Sequence, residues 1–140
     1  MTKGTPVGNL SHIISVQAID NRWSDISKYL ERLVDVKCSL EDMYNKVVEG
    51  EWHLWVATDQ DEIYAVAITA FIYYPRSTNL RMIFVSGDGE NWPVALKVFE
   101  HFALVNDCHE VEILGRKGWE RVLRDRGYEL KSVTLRKRIN

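Results

Sequence analysis

Apolar residues change their spacing several times along this chain of 140 residues, and each change predicts a new structural element. Residues Ile13 to Ile19 mix apolar and polar positions as a first strand does. From Ser24, a residue type suited to an N-cap, apolar side chains recur at helical spacing. These side chains are Ile26, Tyr29, Leu30, Leu33 and Val34. The pattern predicts a strand followed by an amphipathic helix.

A second helix is predicted directly after the first. Ser39 and Asp42 have the spacing of a capping box, and Gly50 suits the left-handed residue that ends a helix. Between them the apolar positions again have helical spacing, at Leu40, Met43, Val47 and Val48.

Three strands in a meander come next. Residues 53–58 are aromatic and β-branched, residues 59–62 form a polar turn, and the run 63–74 is rich in Ile, Val, Ala and Tyr. This pattern predicts a hairpin. Residues 75–79 break the pattern again, and Leu80 to Val85 is predicted to be the third strand.

The last part of the chain alternates helix and strand. Pro93 suits the first turn of a central helix, where its missing N–H does no harm. The apolar face of that helix is predicted to contain Ala95, Val98, Phe99, Phe102 and Ala103. A short strand follows at 110–113, where glutamate alternates with valine and isoleucine, and a helix around Trp119, Val122 and Leu123 ends at Gly127.

Val133 to Ile139 is predicted to close the fold as a strand. The predicted order is therefore β-α-α-β-β-β-α-β-α-β. This order indicates an α/β (α+β) fold class, with a mixed, mostly antiparallel twisted sheet flanked by helices. A chain of this length is large enough for one core, so a single domain over residues 1–140 is predicted.

Composition narrows the class of protein. The chain is 46% hydrophobic and 27% charged, with 3 Pro and 8 Gly, as is typical of globular proteins. Because no apolar run approaches the ~20 residues of a spanning helix and residues 1–8 lack a signal pattern, we expect a protein of the cytoplasm with no membrane partner. Cys38 and Cys108 are expected to be reduced thiols.

The net charge of −2 hides an asymmetry. The segment from Arg116 onward contains nine basic and three acidic residues. This tail therefore has a net charge of +6, and the rest of the chain has a net charge of −8. The basic tail can meet an acidic protein surface, a cofactor phosphate or nucleic acid, or it can be a solvated face. Nucleic acid is the weakest of these predictions, because the basic residues are interleaved with apolar positions.

The segment 86–91 connects the third meander strand to the central helix. Glycines before a helix N-terminus offer free N–H groups to a phosphate. Asp88 and Glu90 oppose this, since each carboxylate near a bound pyrophosphate costs about 1 kcal/mol. The residues predicted to hold a cofactor, if one binds, are Gly87, Gly89, Asn91 and Trp92.

The element order, the glycine turn and the Arg-Gly-Tyr at 126–128 together resemble the Gcn5-related N-acetyltransferase (GNAT) fold over nearly the whole chain. In that superfamily the turn holds the pyrophosphate of acetyl-CoA, usually with an arginine or glutamine that is missing here. The family's frequent acid, a tyrosine in the last helix, corresponds to Leu123. The resemblance implies the GNAT fold with an altered active site.

A set of short motifs is similar to small GNAT-like proteins of tailed bacteriophages. They are His53-Leu54-Trp55, Tyr74-Pro75-Arg76, Gly87-Asp88-Gly89 with Trp92, Asp107-Cys108, Gly115-Arg116-Lys117-Gly118-Trp119 and Gly127-Tyr128. This resemblance implies a phage accessory or virion-associated protein. Such a protein would act by binding other assembly proteins, without a cofactor, in the host cytoplasm or in the particle.

The alternative is an acetyl-CoA-dependent N-acetyltransferase of unknown substrate. Glu112 is the predicted general base because its neighbours in the strand face the core while it points elsewhere. Tyr73, Tyr74 and Tyr128 can each act as a proton donor, and Tyr128 is the one predicted to be catalytic. The structural alternative for a tyrosine at a strand end is an amphipathic wall residue.

Five residues are predicted to contact a partner: Arg76, Arg116, Trp119, Arg136 and Arg138. Their structural alternatives are a loop-stabilising cation for Arg76, an internal ion pair for Arg116 and a packing anchor for Trp119. The four histidines have no ligand-like spacing, so no metal site is predicted. A homo-oligomer is left open.

Overall fold

The structure, a computed structural model, describes residues 10–87, 92–115 and 118–140, and for residues 92–94 it describes the backbone alone. In chain order its elements are β1 (Leu10–Ile13), α1 (Val16–Leu30), a 3₁₀ helix (Glu31–Leu33), α2 (Leu40–Val48), β2 (His53–Asp59), β3 (Glu62–Tyr73), β4 (Thr78–Gly87), α3 (Trp92–Val105), β5 (Glu110–Ile113) and α4 (Trp119–Arg124). None of the described helices combines the length and the apolar character that crossing a bilayer requires.

The five strands form one sheet in the order β1-β2-β3-β4-β5. Neighbouring strands are antiparallel from β1 to β4, and β5 joins β4 in parallel. The β2–β3 hairpin turns at Gln60 and Asp61, whose φ angles of 50° and 69° match the right-handed twist of the strands. The predicted fold class, a mixed and mostly antiparallel sheet flanked by helices, is confirmed.

Two apolar clusters cover the two faces of this sheet. Because side chains alternate along a strand, Leu54 and Val56 of β2 pack under α1 and α2, whereas Trp55 packs under α3 and α4. We call these sides the α1–α2 face and the α3–α4 face. Ile19, Ile26 and Leu30 fill the first cluster. The second contains Leu80, Met82, Leu96, Phe99 and Ala103.

The first helix begins earlier than predicted. β1 ends at Ile13, and the N-cap of α1 is Ser15, whose hydroxyl accepts a hydrogen bond from the Ala18 N–H at 3.1 Å. The predicted strand over residues 13–19 and the predicted N-cap at Ser24 are therefore wrong. Ile19 misled the prediction, because its side chain belongs to the buried helical face rather than to a strand.

The second helix is confirmed in detail. The Ser39 hydroxyl accepts from the Asp42 N–H at 3.1 Å, and the Asp42 carboxylate accepts from the Ser39 N–H at 2.9 Å. Gly50 has a φ angle of 81°, as a left-handed residue after a helix does. This capping box fixes where α2 begins.

The predicted last strand is wrong. Residues 129–140 form no helix or strand, and the apolar side chains of Val133, Leu135 and Ile139 are 72%, 91% and 83% exposed. Their alternation with polar residues is typical of a strand. A strand also needs a partner, however, and none of the described strands pairs with this segment.

Candidate active site

β4 and β5 run together for only a short ladder. The pairing extends from Asn79 opposite Glu110 to Met82 opposite Ile113, and the Leu114 N–H donates to the Met82 carbonyl at 3.2 Å. β5 ends there, while β4 continues to Gly87 and, among the described strands, pairs over that part with β3 alone. We call the resulting opening, beyond Met82 and Ile113, the β4–β5 cleft. It exposes one side of the β4 backbone.

A β-bulge lies at the start of this cleft. Ile68 of β3 is opposite Phe84 and Thr69 is opposite Met82, so that Ile83 is the extra residue of β4. Bulges leave such a residue out of the ladder, bend the strand and often occur beside active sites.

A polar cluster occupies the last paired positions before the cleft. The Glu112 carboxylate accepts hydrogen bonds from the Tyr74 hydroxyl, from Asn79 Nδ2 at 2.7 Å and from Arg81 Nε at 2.8 Å. The side chains of Glu112 and Arg81 are 22% and 30% exposed. We call these four residues the Glu112 network. Because Leu80 and Met82 pack on the α3–α4 face, the alternating Asn79 and Arg81 lie on the α1–α2 face.

The network controls the protonation of its members. Burial by itself would raise the pKa of the Glu112 carboxyl, but the hydrogen bonds from Tyr74, Asn79 and Arg81 outweigh burial and lower it. The hydrogen bond that Tyr74 donates to Glu112 raises the pKa of the tyrosine. At neutral pH Glu112 is therefore ionised and Tyr74 keeps its proton.

Asn79 links the two glutamates of β5. Its buried Nδ2 group donates to Glu110 Oε1 at 3.1 Å as well as to Glu112. Its Oδ1 atom is buried and accepts no hydrogen bond within the described parts of the chain. The amide therefore fixes the orientation of Glu112 across the β4–β5 ladder.

A cavity of about 550 Å³ adjoins the network and the cleft. Arg81 and Ile83 of β4 and Leu114 beyond β5 form the side next to the cleft. The remaining lining residues are mostly apolar or aromatic: Gly50, Glu51, Trp52 and His53 leading into β2, and Ala70, Phe71, Ile72 and Tyr73 of β3. A site of this kind suits a ligand with an apolar body and a polar end.

The two predicted catalytic residues lie on opposite faces of the sheet. The Tyr128 hydroxyl donates to Glu100 of α3 at 2.8 Å, and the ring packs with the α3–α4 cluster. Burial, together with the Glu100 carboxylate, raises the pKa of Tyr128. The structure brings Glu112 together with Tyr74 rather than with Tyr128, and the catalytic roles of both predicted residues stay predictions.

Only part of the predicted phosphate site falls within the described residues. Gly87 has a φ angle of 126°, and a Cβ there would lie 2.4 Å from the Tyr64 carbonyl oxygen, so close approach to β3 requires glycine. Trp92 begins α3, and its side chain is not described. Gly89 and Asn91 lie outside the described residues, as do Asp88 and Glu90.

The predicted partner-binding residues are scattered. Arg76 and Arg136 are exposed, and Arg138 Nε donates to the Asn140 carbonyl at 2.6 Å. The Trp119 ring packs on Gly115, where an added Cβ would lie 2.2 Å from it, and belongs to the α3–α4 cluster. Arg116 lies outside the described residues.

Sequence reasoning missed Asn79 and Arg81 as members of the site. Both alternate with the buried Leu80 and Met82, as the glutamates of β5 alternate with Val111 and Ile113. That shared alternation of polar and buried residues was the sequence signal that could have identified Asn79 and Arg81. The register that places Arg81 opposite Glu112 depends on pairing between strands that are distant in sequence.

A second polar group lies on the α3–α4 face. Thr69 Oγ1 accepts from the Trp55 indole N–H at 2.9 Å and lies 2.8 Å from His53 Nδ1. We call these three residues the buried network. Burial, aided by His12, lowers the pKa of His53 to about 4, so the ring is neutral. Nowhere in the described ranges do three or more metal-binding side chains cluster.

The chain was compared with known proteins by sequence and by structure. No protein-family model and no curated sequence matches it. An acetyltransferase of Trypanosoma brucei superimposes with a TM-score of 0.72 at 11% identity, over 93% of this chain and 98% of that one. The GNAT fold is the architecture that this chain adopts.

Two further solved structures of acetyltransferases also superimpose on this chain. Glucosamine-6-phosphate N-acetyltransferase from Arabidopsis thaliana gives a TM-score of 0.66 at 14% identity, covering 94% of this chain and 97% of its own. A GNAT family acetyltransferase of Staphylococcus aureus gives 0.66 at 10% identity, with 94% and 99% covered. The GNAT resemblance is thus confirmed at the level of the fold. None of these three names refers to a bacteriophage, so that narrower resemblance stays a prediction.

Proposed function

We propose that this chain is an acetyl-CoA-dependent N-acyltransferase. The observation that carries the proposal is the separation of β4 from β5 directly beside an oriented, ionised Glu112. Beyond Met82 the described strands flank the β4 backbone on one side only. Its free amides and carbonyls can hydrogen-bond an extended ligand that carries amide groups, as the pantetheine arm of coenzyme A does. The acetyltransferase names of the structural neighbours support this ligand.

The acceptor amine is assigned to the cavity next to Arg81. There the amine nitrogen attacks the thioester carbonyl, a C–N bond forms, the C–S bond breaks, and the amine loses a proton. The carbonyl oxygen becomes negative during attack and needs a positioned donor. The backbone N–H of the bulge residue Ile83 is the candidate for that donor.

Glu112 and Tyr74 together account for the protons. Glu112 attracts an acceptor ammonium by its charge. The ammonium first releases one proton to solvent, and Glu112 receives the second proton, which the neutral amine loses on attack, directly or through a water. Tyr74, protonated at neutral pH, gives its proton to the departing thiolate. Transfer from Glu112 to Tyr74 along their hydrogen bond then restores both groups.

Acetyl-CoA binding is the first test. A ligand that binds only the folded state stabilises it by about 2.7 kcal/mol at 100 times its dissociation constant, so the melting temperature should rise with acetyl-CoA concentration. Release of free coenzyme A thiol in the presence of a panel of primary amines measures transfer. A melting temperature unmoved by millimolar acetyl-CoA, with no thiol released, would contradict the proposal.

Glu112→Gln tests the assigned chemistry. It keeps the shape of the side chain and removes its charge, so kcat/KM should fall by about 100-fold or more while acetyl-CoA still raises the melting temperature. Glu62→Gln makes the same change at the exposed far end of β3 and should leave turnover at the wild-type level. Unchanged turnover in Glu112→Gln would refute the role of Glu112 but leave acyl transfer in place.

The phage accessory function is not favoured by any described contact. It depends on the acidic residues Asp88 and Glu90, which lie outside the described residues, and on short motifs. It therefore remains a prediction from the sequence. It would gain support from the same experiment, if acetyl-CoA neither stabilises the protein nor is consumed by it.

A further inference from the structure

The contacts of the Glu112 carboxylate leave one position for a substrate amine. Its Oε2 atom accepts from the Tyr74 hydroxyl and from Asn79 Nδ2 at 2.7 Å. Its Oε1 atom accepts, among the described residues, only from Arg81 Nε at 2.8 Å. Because a carboxylate has about four lone-pair positions, two on each oxygen, the open position is on Oε1. It lies beside the Arg81 guanidinium.

A simple amine suits that position poorly. Its ammonium group would bind Oε1 with the positive guanidinium of Arg81 at the adjacent contact, and like charges at such short range oppose binding. A carboxylate close to the amine removes this repulsion, because it pairs with the guanidinium while the ammonium pairs with Glu112. In an α-amino acid both groups are attached to one carbon atom. Their spacing therefore matches that of two oppositely charged side chains in contact.

Arg81 is placed to receive such a carboxylate. It lines the cavity, its side chain is 30% exposed, and it binds Glu112 through Nε, one of its five donors. It also interacts with the Tyr74 hydroxyl. An arginine binds a planar carboxylate through two parallel hydrogen bonds. The other charged residue of the described cavity lining, Glu51, is already paired with Lys46 at 2.6 Å.

The rest of the cavity favours an apolar side chain on that amino acid. Three aromatic residues, Trp52, Phe71 and Tyr73, line it together with the aliphatic Leu114. His53 also lines it and is neutral at pH 7, because burial lowers its pKa to about 4. The volume of about 550 Å³ lies within the range of about 300–1,000 Å³ that small-molecule sites have. An aromatic or large aliphatic side chain gains more from this lining than a polar one does.

We infer that the acceptor is a free α-amino acid with an aromatic or large aliphatic side chain, whose carboxylate binds Arg81 and whose amine meets Glu112. This inference rests on the proposed function, since it names the substrate class of the same site. The acetyl group passes to the amine nitrogen, so the products are the N-acetyl amino acid, coenzyme A and a proton. Arg81 then determines specificity by touching the substrate, in addition to holding Glu112.

Release of coenzyme A thiol with three amines tests the inference on the wild type. L-Phenylalanine has both groups, 2-phenylethylamine lacks the carboxylate, and glycine lacks the apolar side chain. The value of kcat/KM should be at least about tenfold higher for L-phenylalanine than for either of the others. Thiol release that is equal or faster with 2-phenylethylamine would overturn the inference and leave acyl transfer in place.

A binding measurement separates failure of the inference from failure of acyl transfer. NMR titration of the protein with L-phenylalanine, with and without coenzyme A, should shift the resonances of the Trp52 indole and the Leu114 methyl groups. Such shifts without thiol release would support the amino-acid site and remove the transferase activity. Absence of shifts, with no amino acid acetylated, would overturn the inference.

Arg81→Gln separates recognition of the carboxylate from the positioning of Glu112. Since Arg81 also helps to lower the pKa of Glu112, turnover of every amine should fall. The informative quantity is the ratio of kcat/KM for L-phenylalanine to that for 2-phenylethylamine, which should fall about tenfold, toward one. Arg22→Gln removes an arginine that is equally exposed, at 30%, and ion-paired with Asp61, and it should leave the ratio unchanged. An unchanged ratio in Arg81→Gln would show that Arg81 only positions Glu112 and would overturn the inference.

Discussion

The two polar networks of this protein lie on opposite faces of one sheet and differ in what surrounds them. The buried network of His53, Thr69 and Trp55 is enclosed by aromatic rings, with Phe71 at 4.6 Å from the His53 ring centre and Phe99 at 5.0 Å from that of Trp55. In the Glu112 network the side chains of Glu112 and Arg81 are partly exposed, and Arg81 lines the cavity, which His53 of the buried network also borders. The first is arranged to stabilise the core, whereas the second is arranged to meet a ligand.

The difference arises from the helices that cover each face. On the α3–α4 face the buried polar atoms satisfy one another, since Thr69 Oγ1 accepts from the Trp55 indole and lies beside His53 Nδ1. On the opposite face the cluster under α1 and α2 includes residues of β2 and β3 and Phe84 of β4, and Arg81 and Glu112 form a charged pair at the β4–β5 ladder. If this division is correct, substitutions in the buried network should change stability and those in the Glu112 network should change chemistry.

The largest expected effect on stability is that of Phe99→Ala. Phe99 is 3% exposed and packs against Trp55, so its removal should lower the free energy of unfolding by about 3–5 kcal/mol. Urea denaturation measures the loss. Leu104→Ala, on the same helix but exposed, should cost less than about 0.5 kcal/mol. Similar losses in the two variants would mean that the α3–α4 face is not the stabilising side.

The next effect is a dependence on pH. The folded pKa of His53 is about 4, below the usual 6.5, so the unfolded chain binds more protons than the folded one between these values. Stability from this group is complete above pH 6.5 and is lost as the pH falls toward 4, by about 3 kcal/mol in all. The measurement is urea denaturation at a series of pH values. His53→Leu should reduce that slope, and His12, whose pKa burial also lowers, should account for part of what remains.

The exposed His101 provides the control for this titration. His101→Gln should leave the slope between pH 6.5 and 4 as it is in the wild type. A slope in His53→Leu as steep as that of the wild type would assign the acid sensitivity to other groups and contradict the lowered pKa of His53.

A smaller loss is expected for Thr69→Val. The substitution keeps the shape but removes the oxygen that accepts from the Trp55 indole, and a buried donor without a partner costs about 1–3 kcal/mol. Thr69→Ser keeps the hydroxyl and should recover most of the stability. A loss in the serine variant with none in the valine variant would point to packing of the methyl group instead.

The sequence predicts local features of this fold well and pairing between distant segments poorly. The capping box at Ser39 and Asp42 and the apolar face of α3 depend on residues a few positions apart, and both are confirmed. The strand predicted at 133–139 has the correct alternation, yet a strand forms only beside a partner, which alternation does not supply.

The same contrast between local patterns and long-range pairing explains which residues of the site the sequence could predict. The alternation within β5 identifies Glu112 as the residue that points away from the core. Its donors Tyr74, Asn79 and Arg81 lie more than 30 positions away in sequence, and only the parallel pairing of β4 with β5 brings them to it. Tyr128 is near Gly127 and the last helix as predicted, but the sheet separates it from Glu112.

The smallest effect on stability is expected for Tyr74→Phe, and it gives the sharpest contrast between the networks. Tyr74 is 43% exposed, so loss of its hydroxyl should change the free energy of unfolding by less than about 1 kcal/mol. Its hydrogen bond helps to lower the pKa of Glu112, and without it that pKa should rise. The pH titration of the Glu112 carboxyl carbon by NMR measures this shift, with Tyr73→Phe as the control on the adjacent exposed tyrosine. A large loss of stability with no shift in the titration would reverse the comparison, because the Glu112 network would then hold the fold together rather than tune a carboxylate.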